Sequence, residues 1–217
     1  LIVRKIKGVR RSAIATVIPF KTPILMLDSG ANPTVTPDIL VQWAVVGSVY
    51  SNKILGVENP RVGLLNNGTE EHKGTETVSS AYALLKERND INFIGNVESK
   101  ELPNSPCDVL ITDGFTGNIT LKLIEGMGKF VFSRLKDMFT ANFATKMSYL
   151  VMKKQLKSLK NDFDASEFGG APLLGLLKPV IKAHGSSNAK DIKNAIRQAT
   201  LCASSDIADK VAQVISK

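Results

Sequence analysis

Short runs of apolar, β-branched residues alternate along this chain with longer segments of helical periodicity. Five such runs predict strands, at 13–18, 24–28, 62–66, 91–95 and 109–113. Helical periodicity predicts five helices, at 36–50, 75–88, 119–138, 189–200 and 206–216. The strand runs hold few polar residues, which is typical of strands covered on both faces. Strands and helices that alternate in this way indicate an α/β sheet protein.

Length and composition are compatible with one such domain. The 217 residues are 43% hydrophobic and 22% charged, which is ordinary globular composition and enough chain for a core without disulfides. The chain does not begin with Met, and we expect it to be a fragment. No apolar run reaches the roughly 18 residues of a spanning helix. Cys107 and Cys202 are too few and too far apart for a disulfide framework, so we expect idle thiols in a reducing cytosol.

The segment 139–168 departs from the alternating pattern. Its apolar residues recur on one face of a predicted helix at 141–159, and they are Phe143, Met147, Leu150 and Val151. Lysines flank this face and follow it, at positions 146, 153, 154, 157 and 160. We therefore expect an amphipathic helical excursion that contacts an anionic membrane surface through its apolar face. Packing of the same face in the core or in a dimer interface is the alternative.

Three loops share one design, in which a strand ends, a polar or Gly-bearing turn follows, and a helix begins. They lie at 64–74, 111–118 and 184–188. In open α/β sheets, ligands bind beyond the carboxyl ends of the strands, where a helix start offers free N–H groups and partial positive charge to a phosphate. We expect the three loops to converge at one edge of the sheet. Each loop taken alone is a weak signal, because an ordinary turn or helix cap explains it as well or better.

Several classes of site are not indicated. The chain has no G-x-G-x-x-G or G-x-x-x-x-G-K-[ST] loop for a dinucleotide or nucleoside triphosphate, and no G-x-S-x-G elbow. It has two histidines, His72 and His184, without ligand spacing, so we expect no metal and no cofactor. A net charge of +8 attracts nucleic acid. However, the basic residues lack interleaved aromatics and a recognition motif, so we expect no nucleic-acid partner.

Longer motifs resemble the PlsX phosphate acyltransferases, and the resemblance covers residues 8–199. They read LDSGAN at 27–32, VQWAVVGSVY at 41–50, PRVGLLN at 60–66, INFIGNVE at 91–98, DGFTGN at 113–118, FGGAPLLG at 168–175 and IKAHGSS at 181–187. The Gly68, Lys73 and Gly74 positions fit the family as well. Members of the family carry a further part of the same sheet domain before the position of Leu1, and their loop at 19–24 is longer.

The resemblance implies a three-layer α/β/α sandwich like that of the isocitrate dehydrogenase and phosphotransacetylase group. Residues 1–217 would form a single α/β catalytic domain, from which the amphipathic segment 139–168 protrudes. The implied reaction transfers a fatty acyl group from acyl carrier protein to inorganic phosphate, giving acyl phosphate for phospholipid synthesis without a cofactor. The implied protein is a cytoplasmic, peripherally membrane-associated homodimer that receives its donor on an acidic carrier protein and supplies a glycerol-3-phosphate acyltransferase.

The same resemblance implies roles for individual residues. Lys73 would hold phosphate, and Asn118 would orient substrate or donate to the thioester oxygen as it gains charge. Further substrate-binding candidates, expected to shape the loops rather than to react, are Asn67, Asp113, His184 and Ser186. Two other functions stay open: an enzyme like phosphate acetyltransferase that uses coenzyme A donors, and a membrane-surface scaffold without catalysis. The helix at 143–160 favours a lipidic donor, because an acetyl donor does not need it.

Overall fold

A mixed seven-stranded sheet forms the centre of the fold in a computed structural model that describes residues 2–162, 170–185 and 187–215. Its strands are β1 (Ala13–Ile18), β2 (Ile24–Leu27), β3 (Arg61–Asn66), β4 (Asn92–Glu98), β5 (Val109–Ile111), β6 (Ala171–Leu174) and β7 (Ile181–Lys182). The helices are α1 (Pro37–Leu55), α2 (Glu76–Lys86), α3 (Gly114–Thr140), α4 (Phe143–Asp162), α5 (Ala189–Ser204) and α6 (Ile207–Ile215). A short 3-10 helix, Ser99–Asn104, follows β4.

All five strands predicted from sequence are present, and two more were not predicted. β6 has four residues, including Pro172, and β7 has only two. Segments this short show no clear two-residue periodicity, and a proline argues against a strand in a sequence pattern. The predicted helices are also present, but α3 begins at Gly114 rather than at 119.

Strand direction decides which loops can meet. The order across the sheet is β4-β3-β5-β2-β1-β6-β7. The first four of these strands run parallel, whereas β1, β6 and β7 are each antiparallel to the strand before them in that order. The parallel strands β2, β3, β4 and β5 all end at one edge of the sheet, which we call the carboxyl edge. We call the opposite edge the turn edge, because the β1–β2 turn lies there. Since β7 runs opposite to these four strands, it ends at the turn edge.

Helices cover both faces of the sheet, as the sequence predicted. On one face α1, α2 and α6 pack over the larger apolar cluster, in which the side chains of Trp43 and Tyr50 are fully buried. Their polar atoms have partners, because Trp43 Nε1 donates to the Arg11 carbonyl at 2.9 Å and Gln198 Nε2 donates to Tyr50 Oη at 2.8 Å. On the other face, Leu121 and Ile124 of α3 pack on a second cluster. The three-layer α/β/α arrangement is confirmed.

The predicted amphipathic excursion at 139–168 corresponds to α4, which forms a helical hairpin with α3. The two helices pack together, and the rings of Phe139 and Tyr149 lie 5.9 Å apart. Side chains on α4 are largely exposed, with Phe143 at 79% and Val151 at 81%. The end of the predicted excursion, 163–168, lies outside the described residues. Within the part of the chain that the structure describes, every helix is too short or too polar to cross a membrane.

Candidate functional site

A buried carboxylate organises the carboxyl edge. Asp28 follows β2 and is completely inaccessible to solvent. Its two carboxylate oxygens accept hydrogen bonds from the backbone N–H groups of Ile14, Gly30, Ala31 and Asn32, and from the Asn32 side chain, at 2.6–3.2 Å. A buried charge is stable only when it is fully hydrogen-bonded. Asp28 therefore fixes the course of the chain between β2 and α1.

The start of α3 packs directly on Asp28. Asp113 is the N-cap, because its Oδ1 accepts from the N–H groups of Phe115 and Thr116 at 2.9 and 2.8 Å. The Gly114 N–H donates to the Asn32 carbonyl, and that of Gly117 to the Asp113 carbonyl. All four of these N–H groups are thus occupied, and the expectation that this helix start offers free donors to a phosphate is wrong. Asp113 therefore fixes the start of α3, and its predicted contact with substrate stays a prediction.

Gly117 allows this close packing, and its substitution should be costly. A Cβ atom at this position would overlap the backbone carbonyl oxygen of Asp28. We expect Gly117→Ala to lower the free energy of unfolding by about 3 kcal/mol, the upper range for overpacking. Gly126→Ala is the matched control, since nothing lies within 4 Å of a Cβ there. It should raise the free energy of unfolding by up to about 1 kcal/mol, because Ala favours a helix. Urea denaturation that gave equal values for both variants would contradict the proposed contact.

The loop after β3, residues 66–75, is held from three sides, and we call it the Lys73 loop. Asn66 Nδ2 donates to the Lys73 carbonyl at 2.9 Å, and Asn96 Nδ2 of β4 donates to the Glu70 carbonyl at 2.8 Å. Gly74 adopts φ +90°, and a Cβ there would lie 2.6 Å from Asn66 Oδ1, so only glycine fits. These contacts leave few conformations open to the loop, so it is preorganised.

The third set of contacts that holds the Lys73 loop in place is electrostatic. Lys86 Nζ of α2 donates to Glu71 Oε1 at 2.7 Å, and Tyr82 Oη donates to the same oxygen at 3.3 Å. The Lys86 hydrogen bond holds the pKa of Glu71 below its usual value. Burial and the nearby Glu71 carboxylate raise the pKa of Tyr82. Because Glu71 is paired with Lys86, its charge competes less with an anion bound at the loop.

Lys73 itself is half-buried at the end of this loop, and Asn67 is exposed at its beginning. The Lys73 side chain lies over Gly68, where a Cβ would approach Lys73 Cγ to 3.0 Å. Thr75 caps α2 by accepting from the Val78 N–H at 3.3 Å. The N–H groups of the first two residues of α2 have no hydrogen-bond partner among the described residues. A lysine beside unpaired N–H groups at a helix start is an arrangement that binds phosphate.

Asn118 lies in the first turns of α3, beside the loop that Asp28 organises. Its Nδ2 donates to the Ser29 carbonyl at 3.0 Å, and a Cβ at Gly30 would lie 2.7 Å from the same nitrogen. The loops that carry Asn118 and Lys73 follow β5 and β3, which are neighbouring parallel strands, with Ile111 opposite Leu64. Adjacent strands are about 4.8 Å apart. The structure therefore brings these two predicted loops together at the carboxyl edge.

The third predicted loop does not join them. His184 follows β7, and β7 runs antiparallel to β6 and so opposite to β5, which places His184 at the turn edge. The expected convergence of three loops is wrong for this one. Asn188 caps α5 by accepting from the N–H groups of Lys190 and Asp191. Ser186 lies outside the described residues.

Sequence reasoning missed the residues that hold the site in place. Asp28, Asn66 and Asn96 bind backbone atoms of the loops, and the prediction named none of them as a candidate. One signal was present, because each is a polar residue within or directly after an apolar strand run. A polar side chain in such a place is buried and needs a partner.

Comparison of the sequence with known proteins identifies the family of this chain. A model of the FA_synthesis family, described as fatty acid synthesis protein, matches residues 1–210. A Lysinibacillus sphaericus protein named phosphate acyltransferase is 51% identical over 199 residues, which are 91% of this chain and 60% of that protein. A Bacillus subtilis protein of the same name is 45% identical over 218 residues, covering 100% of this chain and 66% of the relative. The chain thus spans 60–66% of the length of these relatives.

Solved structures show a similar fold at low sequence identity. The EutD phosphotransacetylase of Staphylococcus aureus matches with a TM-score of 0.59 and 17% identity, over 96% of this chain and 57% of its own. A phosphotransacetylase of Streptococcus pyogenes matches with a TM-score of 0.60 and 20% identity, over 94% and 57%. This similarity confirms the predicted fold group.

Proposed function

The chain belongs to the FA_synthesis family of fatty acid synthesis proteins, and from this premise we propose that it is the larger part of a phosphate acyltransferase. In the proposed reaction, an oxygen of inorganic phosphate attacks the carbonyl carbon of an acyl thioester. A C–O bond forms, the C–S bond breaks, and the thiolate leaves and takes up a proton. The products are an acyl phosphate and the free thiol carrier.

The observation that carries this proposal is the preorganised Lys73 loop at the start of α2. Phosphate is itself a nucleophile, so the protein needs to supply positioning and charge stabilisation rather than a covalent intermediate. The Lys73 ammonium and the unpaired N–H groups of α2 are suited to hold the dianion. Asn118, at the neighbouring loop, is suited to orient the thioester. Asn67, exposed on the Lys73 loop, is a further phosphate contact in this proposal.

We propose a fatty acyl group on an acidic acyl carrier protein as the donor, and phospholipid synthesis as the use of the product. The charge distribution supports an acidic partner. Residues 114–159 carry eight Lys or Arg and two Asp or Glu, while the whole chain has a net charge of +8. Most of the excess positive charge is therefore on the α3–α4 hairpin. A basic surface attracts an acidic protein and speeds its association.

The test of this function is acyl phosphate formation by the full-length protein with two donors side by side. Carrier-protein and coenzyme A thioesters with the same 16-carbon acyl chain are compared at equal concentration, with and without phosphate. We expect phosphate-dependent product, and a higher kcat/KM with the carrier protein. Preference for the coenzyme A thioester would favour the phosphate acetyltransferase alternative, and no product with either donor would contradict the proposal.

We also propose that the hairpin attaches the enzyme reversibly to anionic membranes. Phe143, Leu150 and Val151 are 79%, 60% and 81% exposed on α4, which also carries several lysines. Burial of these apolar side chains in the lipid interface gives only a modest binding free energy. Each basic residue near anionic lipid adds about 1 kcal/mol. The two contributions together are enough for reversible attachment. The cytoplasmic location, the homodimer and the supply of a glycerol-3-phosphate acyltransferase belong to the same proposal.

Vesicle binding tests the membrane role. The variant Phe143→Glu/Val151→Glu should bind anionic liposomes at least about tenfold more weakly, because it removes apolar burial and adds two negative charges. The control Ile192→Glu/Ile196→Glu makes the same charge change at side chains that are 43% and 63% exposed on α5. It should bind like the wild type. Equal co-sedimentation of all three proteins, or of none, would assign the apolar face of α4 to protein packing instead.

A further inference from the structure

We propose that the acidic carrier protein docks on a basic surface at the carboxyl edge, formed by the segment before β1 and the turn after β6. This inference rests on the proposed function and adds the place at which the donor binds. The charge of this surface, its position beside the loop that contacts Asn118, and the burial of its apolar side chains support it.

The segment before β1 is strongly basic. Five of the eight residues at 4–11 are Lys or Arg, and none of them is Asp or Glu. With one lysine of the turn after β6, they form a surface of six exposed basic side chains that we call the basic ridge: Arg4, Lys5, Lys7, Arg10, Arg11 and Lys178. In the described part of the chain, only Arg10 among the six is in an ion pair, with Asp38 of α1. The ridge therefore presents positive charge that attracts an acidic protein.

The basic ridge lies at the carboxyl edge of the sheet. β1 runs opposite to β2, so the residues that precede β1 lie where β2 ends. β6 runs parallel to β2 and therefore ends at the same edge. The Ile6 N–H donates to the Gly175 carbonyl, and the Leu177 N–H donates to the Arg4 carbonyl. These hydrogen bonds join the segment 4–11 to the turn after β6.

The basic ridge is also joined to the loop that contacts Asn118. Asn32 Nδ2 donates to the carbonyl of Ser12, the residue directly after the ridge segment, at 2.9 Å. In the same loop, the Ser29 carbonyl accepts from Asn118 Nδ2. β1 is two strands away from β5, a separation of about 10 Å. Because the acyl group stays attached to its carrier until the C–S bond breaks, the carrier must dock close to the reacting carbonyl, and the ridge meets this condition.

The α3–α4 hairpin is also basic, but its charges lie farther from the proposed site. Apart from Lys122, the basic residues of α3 begin at Lys129, which is 15 residues after Gly114 and therefore about 22 Å along the helix. Leu159, near the end of α4, lines the same cavity as Met127 of α3. Since the two helices form a hairpin, the lysines that precede Leu159 lie beyond the middle of α3. The basic ridge is the surface suited to hold a carrier whose thioester reaches Asn118.

The apolar side chains of the ridge segment favour a protein partner over a membrane. Ile6 and Val9 are 2% and 5% exposed and belong to the core. The segment 4–11 therefore presents basic side chains and Gly8 to the solvent, with nothing to insert into a lipid interface. Complementary charge is the usual means by which protein partners are steered and oriented.

The test variant is Lys7→Glu/Arg11→Glu. Both side chains are exposed, and the Arg11 carbonyl, rather than its side chain, accepts from Trp43 Nε1. Lys193→Glu/Lys210→Glu is the matched control, because it makes the same change of charge at exposed side chains of α5 and α6. α5 begins after β7 at the turn edge, and Lys210 shares a cavity with the first residue of β4, so both control positions are away from the ridge. Urea denaturation verifies that both variants fold.

The first measurement is calorimetric binding of a carrier protein loaded with a 16-carbon acyl group to the full-length protein, without phosphate. We expect Lys7→Glu/Arg11→Glu to bind at least about tenfold more weakly, because it places negative charges opposite an acidic partner. The control should change the affinity by less than about twofold. Raising the ionic strength from about 0.05 M to about 0.5 M should weaken binding of the wild type more than that of the test variant.

Three results of this measurement would overturn the inference. They are no binding of the carrier by the wild type, equal affinity in all three proteins, and an equal loss in the control. A loss of anionic liposome binding by Lys7→Glu/Arg11→Glu, with carrier binding unchanged, would also overturn it and assign the ridge to the membrane. If the variants still formed acyl phosphate at the wild-type rate, the proposed reaction would stand without this docking site.

The second measurement compares kcat/KM for the carrier-protein donor and for an uncharged pantetheine thioester of the same acyl chain. Lys7→Glu/Arg11→Glu should lower the value at least about tenfold for the carrier donor, mainly through KM, and less than about twofold for the pantetheine donor. Equal losses for both donors would mean that the substitutions disturb the reaction site itself, and would contradict docking at the ridge. Because the calorimetry needs no turnover, a selective loss of carrier binding would support the ridge even if no acyl phosphate formed.

Discussion

Replacement of Lys73 by alanine is expected to lower kcat/KM for acyl phosphate formation at least about a hundredfold, as loss of one preorganised charge-stabilising donor does. Lys73 is half-buried beside the start of α2, where two N–H groups have no partner among the described residues. In the proposed reaction, an ammonium in this place would neutralise bound phosphate and the charge that develops as it attacks. Stability should change little, since the backbone carbonyl of Lys73, rather than its side chain, accepts from Asn66.

The matched control for charge is Lys100→Ala. Lys100 follows β4 at the same edge of the sheet, and it pairs with Glu98 through a side chain that is 69% exposed. It should keep at least half of the wild-type kcat/KM. A fall in both variants would indicate a general electrostatic effect, and near-wild-type turnover by Lys73→Ala would remove Lys73 from the proposed site. Raising the phosphate concentration should recover part of the rate in Lys73→Ala if the lysine acts mainly by binding.

Asp28→Ala is expected to be the most destabilising single substitution proposed for this chain, with a loss of about 3–5 kcal/mol in the free energy of unfolding. The carboxylate is fully buried and accepts five hydrogen bonds, four from backbone N–H groups and one from Asn32 Nδ2. Its removal leaves these donors without partners in a place that water does not reach. Each unsatisfied buried donor costs about 1–3 kcal/mol before the structure relaxes.

Two further variants make the Asp28 prediction specific. Asp28→Asn keeps one acceptor oxygen and should fall between Asp28→Ala and the wild type. Asp206→Ala removes an exposed carboxylate that pairs with Lys53 and directly precedes α6, and should lower the free energy of unfolding by no more than about 1 kcal/mol. Urea denaturation of all four proteins tests the series. Comparable stability of Asp28→Ala and Asp206→Ala would show that the loop after β2 does not depend on the carboxylate.

The sequence anticipated those parts of the protein that depend on neighbouring residues. The apolar runs of β1 to β5 and the periodicity of the helices are local signals, and all of these elements are present. The caps are local as well, since Asp113, Thr75 and Asn188 accept from N–H groups two or three residues further along. The loops after β3 and β5 were identified in the same way.

The tertiary structure decided which of these elements meet, and the reason is physical. Side-chain periodicity is the same in a parallel and an antiparallel strand, so the sequence alone did not show that β7 runs opposite to β5 and carries His184 to the turn edge. Hydrogen bonds between distant residues leave no periodic signal either. From the sequence, Asp28 was therefore interpreted as the polar end of a strand. In the structure, its hydrogen bond with Ile14 of β1 and its contact with Gly117 of α3 place it at the buried centre of the carboxyl edge.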